Sequence, residues 1–208
     1  MRSSFPRYLS CLGLAMLLGL LAVPAAAQEG EAPASEAPAD DPAMASMMAS
    51  MVPGPQHEML ASMAGTWTLT MKFWMDPGAE PQTSTGTAER SMIFDGRVFE
   101  ERVTSEVMGM PFEGLGHTGY DNVTGEWWST WMDNMGTGVM LMKGTVDEAT
   151  HTATWEGEMS DPMAGGKSPM KMVAKHESAD REVVEFFSPA PGGGDMIRTM
   201  ELTYERQQ

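Results

Sequence analysis

Turn-forming residues recur along this chain at hairpin intervals, and no other feature restricts its fold as tightly. Clusters stand at Asp76-Pro77-Gly78, Asp95-Gly96, Asp121-Asn122, Asn134 to Gly138, Asp147 to Thr150, Asp161 to Gly166 and Pro189 to Asp195. The runs between them are rich in Thr, Val, Trp, Phe and Met, the composition of strands bounded by turns. The first run alternates with period two: Trp67, Leu69, Met71, Phe73 and Met75 on one face, Thr68, Thr70 and Lys72 on the other. Asp95-Gly96 predicts a two-residue hairpin joining Thr85–Phe94 to Arg97–Val107. Further strands are predicted at Phe112–Tyr120, Glu126–Asp133, Val139–Val146, Thr152–Met159, Met170–His176, Val183–Ser188 and Met196–Arg206. The pattern is all-β, about ten antiparallel strands in sequential hairpins behind one short helix over Pro55 to Ala64. Closing that meander into a barrel removes the exposed edges of an open sheet. A β-sandwich is the alternative arrangement.

The residues before the helix divide in two. Arg2 and Arg7 precede an apolar stretch, Leu9 to Val23, that falls short of the roughly 20 residues a membrane span needs, and Ala25-Ala26-Ala27 supplies small residues for cleavage. This predicts a signal peptide over 1–27, removed near Ala27, and a periplasmic or secreted protein with no stable membrane insertion after cleavage. The only cysteine, Cys11, leaves with it, so the mature chain has no disulfide, thiolate metal site or cysteine nucleophile. From Gln28 to Val52 alanine, proline and acids dominate, a composition unable to offset its ordering entropy, and 28–52 reads as a disordered tether. Ala43 to Met51 has the composition of a transient helix. One domain of ordinary size remains over 53–208.

The chain carries 29 acidic and 13 basic residues, a net charge of −16, and loss of Arg2 and Arg7 makes the remainder more acidic still. Such a surface repels phosphate backbones and anionic lipid, which argues against nucleic-acid and membrane-surface partners.

Several ordered motifs run through the domain: Pro53-Gly54-Pro55-Gln56-His57, Ala64-Gly65-Thr66-Trp67, Met75-Asp76-Pro77-Gly78-Ala79-Glu80-Pro81, Met110-Pro111-Phe112-Glu113-Gly114, Thr118-Gly119-Tyr120-Asp121-Asn122, and Ser129-Thr130-Trp131-Met132-Asp133-Asn134-Met135. With Asp161-Pro162-Met163 and Pro169-Met170-Lys171-Met172 they cover almost all of Pro53 to Tyr204. In these motifs the chain resembles a bacterial exported family of unknown function. The Gly65-x-Trp67 start further resembles the first strand of lipocalin and calycin barrels. The resemblance implies a calycin-type barrel and supplies no activity. In such barrels an arginine of the last strand covers the first-strand tryptophan, which would make Trp67 and Arg206 the structural base. Trp127-Trp128 is bulkier than the family pattern at that place.

Catalytic signatures are missing: no Gly-x-Ser-x-Gly elbow, His-Glu-x-x-His, phosphate loop or dinucleotide fingerprint occurs. His57, His117, His151 and His176 stand singly, without metal-ligand spacing. No catalytic residue, metal ligand or cofactor is therefore assigned, and the protein reads as a binder rather than an enzyme. Alternation puts His176 on the face of Met170, Met172 and Ala174, which makes it a candidate interior residue; an inward histidine is the type of ligand haem takes in nitrobindin-like barrels. Glu101 shares a face with Phe99, Val103 and Val107, and Arg198 and Arg206 share one with Met200, Leu202 and Tyr204, so Arg198 is the expected partner of a buried Glu101.

The expected function is to hold a small apolar molecule inside the barrel against Trp67, Phe73, Phe99, Glu101, Trp131, Trp155, His176 and Arg198. The loop Asp133 to Gly138 joins two aromatic- and methionine-rich strands and is placed to line the mouth. The alternative reads the 23 methionines, many in Met-x-Met pairs, as soft ligands for Cu(I). Residues two apart on a strand lie about 7 Å apart, too far to pinch one ion easily. The flexible cluster Met44, Met47, Met48 and Met51 escapes that objection.

Overall fold

A computed structural model describes residues 41–208 except Pro77 and Pro191; the signal-peptide assignment and the first part of the expected tether lie outside the described residues. Two short helices, α1 (Pro42–Ser50) and α2 (Pro55–Ser62), lead into ten strands: β1 (Gly65–Phe73), β2 (Gln82–Ile93), β3 (Val98–Val107), β4 (Met110–Asp121), β5 (Glu126–Asp133), β6 (Met140–Asp147), β7 (Thr152–Asp161), β8 (Gly166–Ser178), β9 (Arg181–Pro189) and β10 (Met196–Arg206). Each strand pairs antiparallel with the next, and β1 pairs with β10, so the sheet closes into a ten-stranded barrel. The sandwich alternative is excluded by that last ladder, which runs from Trp67 opposite Arg206 to Phe73 opposite Met200.

The period-two pattern explains the closed sheet. Trp67, Leu69 and Met71 are buried while Thr66 and Thr68, on the other parity, are exposed, and the same alternation gives Phe99 and Val103 on β3, Trp155 on β7 and Val184 and Phe186 on β9 to the interior. Helix α2 packs against β2, β3 and β4. Pro55 opens it at a position where a missing N–H costs nothing, and His57 Nδ1 accepts from Gly54 N at 3.1 Å. Leu60, 2% exposed, turns from this helix into the barrel end, and Trp67 Nε1 donates to Met63 O at 3.0 Å.

The helix that the composition of Ala43 to Met51 suggests forms over Pro42–Ser50, with Asp41 as N-cap and no buried residue. The features that differ from the sequence reading are the anchored link after it, the length of the β2–β3 turn and the place of Met75. The link after it is fastened to barrel turns: Arg97 Nη2 donates to Met51 O at 2.8 Å, and Asn122 Nδ2 to Val52 O at 2.9 Å. The turn between β2 and β3 spans Phe94 to Arg97, since Ile93 pairs with Val98 and Phe94, Asp95 and Gly96 all have positive φ. Met75 lies beyond the end of β1 and is exposed.

Candidate functional site

The barrel encloses a cavity of about 540 Å³. Methionine is the commonest residue of its wall, with Met71, Met142, Met170 and Met172 among those contributed by the strands, and aromatic rings from Phe73, Phe99, Trp127, Trp131 and Trp155 fill much of the rest. Thioethers on unbranched side chains adapt to irregular shapes, so such a wall constrains volume more than outline. At the rim Trp131 Nε1 donates to Asp133 Oδ2 at 2.9 Å while Asp133 Oδ1 accepts from Met135 N at 3.0 Å. The loop after β5 thereby sets the angle of the Trp131 ring. Room for that ring comes from β4, where a Cβ on Gly114 would overlap it.

The opposite end is polar and buried. Arg90 of β2, 8% exposed, donates Nε to Glu101 Oε2 and Nη1 to Glu182 Oε2, the latter at 2.7 Å. Tyr204 O–H donates to Glu101 Oε1 at 3.2 Å, and His176 Nε2 stands 3.5 Å from Glu182 Oε1. The guanidinium lies 4.0 Å from the Tyr204 ring centroid and 5.0 Å from that of Trp67, distances at which a cation is attracted to ring faces. Burial by itself favours a neutral guanidine, but the carboxylates of Glu101 and Glu182 outweigh it and raise the Arg90 pKa above its ordinary value. Burial, reinforced by Glu101, pushes the Tyr204 hydroxyl well above the usual phenol range. Both shifts favour the protonated forms, a charged Arg90 and a neutral Tyr204.

Below this cluster Arg206 closes the barrel. Its guanidinium stacks 4.2 Å from the Trp67 centroid and donates to three carbonyls: Ala64 O at 2.5 Å, Ser62 O at 2.9 Å and Ala179 O at 3.1 Å. Gly65, at φ 134°, is needed here twice over, since a Cβ would be strained and would meet Arg206 Nη1 at 2.9 Å.

Residues 52–206 match the family described as "Protein of unknown function (DUF1579)". The chain belongs to this family. No curated protein is significantly similar to it. A solved structure, that of Rv2717c from M. tuberculosis, is similar with a TM-score of 0.54 at 12% identity, covering 74% of this chain and 99% of the other. Identity that low carries the fold and nothing further.

Within this DUF1579 barrel most of the expected interior residues meet one cavity: Phe73, Phe99, Glu101, Trp131, Trp155 and His176 all line it. Trp67 is 2% exposed and sits beneath them as part of the base, with Arg206 over it. Arg198 does not join them. Its guanidinium lies outside the barrel, donating to Glu185 Oε1 at 2.7 Å and Glu201 Oε2 at 3.0 Å and covering the Trp74 ring at 4.4 Å. The reason is a bulge: Arg198 pairs with Phe187 but Met200 with Phe186, so Thr199 is unpaired and the in–out parity inverts there. The partner of Glu101 is Arg90 instead.

Arg90, Glu182 and Tyr204 are the residues that sequence reasoning missed as a site. Parity held the signal for two of them: Arg90 is two residues from the buried Ala88, and Glu182 two from the buried Val184. His117, on the outer face of β4, pairs with Glu100 at 3.2 Å. Among the described residues no group of three or more His, Cys, Asp or Glu side chains is arranged to hold a metal ion.

Proposed function

We propose that this DUF1579 protein is exported and that its barrel holds a small, largely apolar molecule without transforming it. The observation that carries this reading is the 540 Å³ interior space walled by methionine and aromatic side chains, a volume within the roughly 300–1,000 Å³ of ordinary small-molecule sites. A polar cluster at one end and a rim at the other fit a guest that is oriented as well as buried. The outward strand faces, such as Thr66, Thr68, Thr70 and Lys72, are polar, which supports a barrel standing in water rather than lipid. Native mass spectrometry of protein purified from its own compartment tests the reading. An organic adduct released on denaturation supports it, and a bare protein mass under gentle conditions, with no uptake of apolar probes, overturns it.

A second reading, Cu(I) handling, is favoured by one observation. Met44, Met47, Met48 and Met51 recur at spacings of three, one and three around α1, all more than half exposed, which sets them along one helical face. Copper in the same mass spectrum, lost on substitution of these four residues, would support it.

A further inference from the structure

The two glutamates at the cavity floor, Glu182 buried and Glu101 half-buried, are not equally satisfied. Glu101 has both oxygens engaged, Oε2 by Arg90 Nε and Oε1 by the Tyr204 hydroxyl. Glu182 Oε2 accepts from Arg90 Nη1, but among the described residues Oε1 accepts no hydrogen bond, and its ion-pair neighbour His176 Nε2 stands at 3.5 Å. The Glu182 side chain is 7% exposed, and it lines the cavity. The ionisable groups facing it are Arg90 of β2, Glu101 of β3, His176 of β8 and Tyr204 of β10. Counted formally, with the imidazole uncharged, they are two carboxylates and one guanidinium, one negative charge in excess. Such a charge is costly unless a cation or donor reaches it.

We infer that this floor takes the protonated amine of an amphiphilic guest. Its N–H groups complete Glu182 Oε1, and its apolar body lies along the methionine wall. The inference rests on the proposed role of the cavity as a ligand site and adds the polarity of the guest. A carboxylate guest is disfavoured by the same accounting, because Arg90 Nε and Nη1 are already committed to the glutamates. The acidic chain, at net −16, also draws cations toward the barrel and repels anions.

Three probes with one tail and different heads test it: decylammonium, decanol and decanoate, titrated into the full-length protein at neutral pH by calorimetry. Decylammonium is expected to bind at least about tenfold tighter than decanol, and decanoate weakest, because a charge-assisted hydrogen bond is roughly twice as strong as a neutral one. Glu182→Gln is expected to abolish the amine preference while leaving decanol binding in place, which also shows that the variant is folded. Equal binding of amine and alcohol overturns the inference; so does tighter decanoate, or a preference that survives Glu182→Gln. If no probe binds, the ligand-site reading itself falls.

Discussion

Arg90 sits over the ring of Tyr204, 4.0 Å from its centroid, and from there reaches Glu182, the cross-strand neighbour of Tyr204, at 2.7 Å. One cation thus ties β2 to β9 and β10 through a ring face and a carboxylate. Buried ion pairs of this kind are costly to break because the survivor keeps its charge without compensation. Arg90→Met is expected to lower stability by about 3–5 kcal/mol, read from urea unfolding curves. Adding Glu101→Gln and Glu182→Gln to it should restore a large part of that loss, since the orphaned charges are then removed. A triple variant as unstable as the single one would show that packing of the guanidinium, not charge balance, is what matters.

Arg206→Ala removes three carbonyl partners and the stack on Trp67. Hydrogen bonds to charged groups contribute about 1.5–3 kcal/mol each when well formed, discounted here because the side chain is 24% exposed. The expected loss is about 2 kcal/mol, with a red-shifted Trp emission as Trp67 admits water. Arg206→Lys should recover less than half, because an ammonium cannot fork between carbonyls. An unchanged melting temperature in Arg206→Ala would mean that α2 alone seals this end.

Three turns share one construction. Asp121 Oδ1 accepts from Val123 N, Asp147 Oδ1 from Ala149 N and Asp161 Oδ1 from Met163 N, at 2.8, 3.0 and 2.8 Å. Four residues after each aspartate the backbone enters the left-handed region, at Gly125, His151 and Gly165. Histidine is the misfit, as a non-glycine residue there is strained by about 1–2 kcal/mol. His151→Gly is expected to stabilise the protein by about 0.5–1 kcal/mol after the added unfolded-state entropy of glycine, visible as a higher melting temperature.

The same aspartates predict an acid dependence. Hydrogen bonds to the carboxylate lower each pKa: chiefly the Val123 N–H for Asp121, Thr150 for Asp147 and the Ser168 hydroxyl for Asp161. A folded pKa below the unfolded one stabilises fully above the unfolded value of about 3.9, and that contribution is lost as pH falls through the folded value. The wild type should therefore exceed an Asp121→Asn, Asp147→Asn, Asp161→Asn variant in unfolding free energy at pH 6, and the gap should narrow below about pH 4. A gap independent of pH would assign the effect to turn geometry alone.

The ten strands and their closure were legible because period-two alternation and turn residues are local signals, and β1 shows this at its clearest, with Trp67, Leu69 and Met71 buried. The wall of the candidate site followed from the same parity. Its floor did not. Glu101 was placed inside, but its partner was sought on β10, where the bulge at Thr199 turns Arg198 outward. A bulge is a property of the paired ladder, and nothing in Ile197-Arg198-Thr199-Met200 announces it. Arg90 was overlooked because an arginine beside Glu89 and Ser91 reads as solvated until its strand is placed between β1 and β3. Composition suggests the helix α1, but its N-cap at Asp41 and the anchors from Arg97 and Asn122 just after it are not legible there.

The ladder between β1 and β10 has a consequence in time. The residues that complete the surroundings of Trp67 come from β10, and the bond between Arg206 and Ala64 spans 142 positions. While the polypeptide is being made, β1 has β2 to lean on but an open edge on its other side, and long-range pairings of this kind form slowly. A ribosome-bound chain from which β10 has not yet emerged thus presents a meander that cannot shut. Whatever guards such an edge must act until β10 is available, and loss of the few β10 residues around Arg206 should harm folding yield far more than their small number suggests.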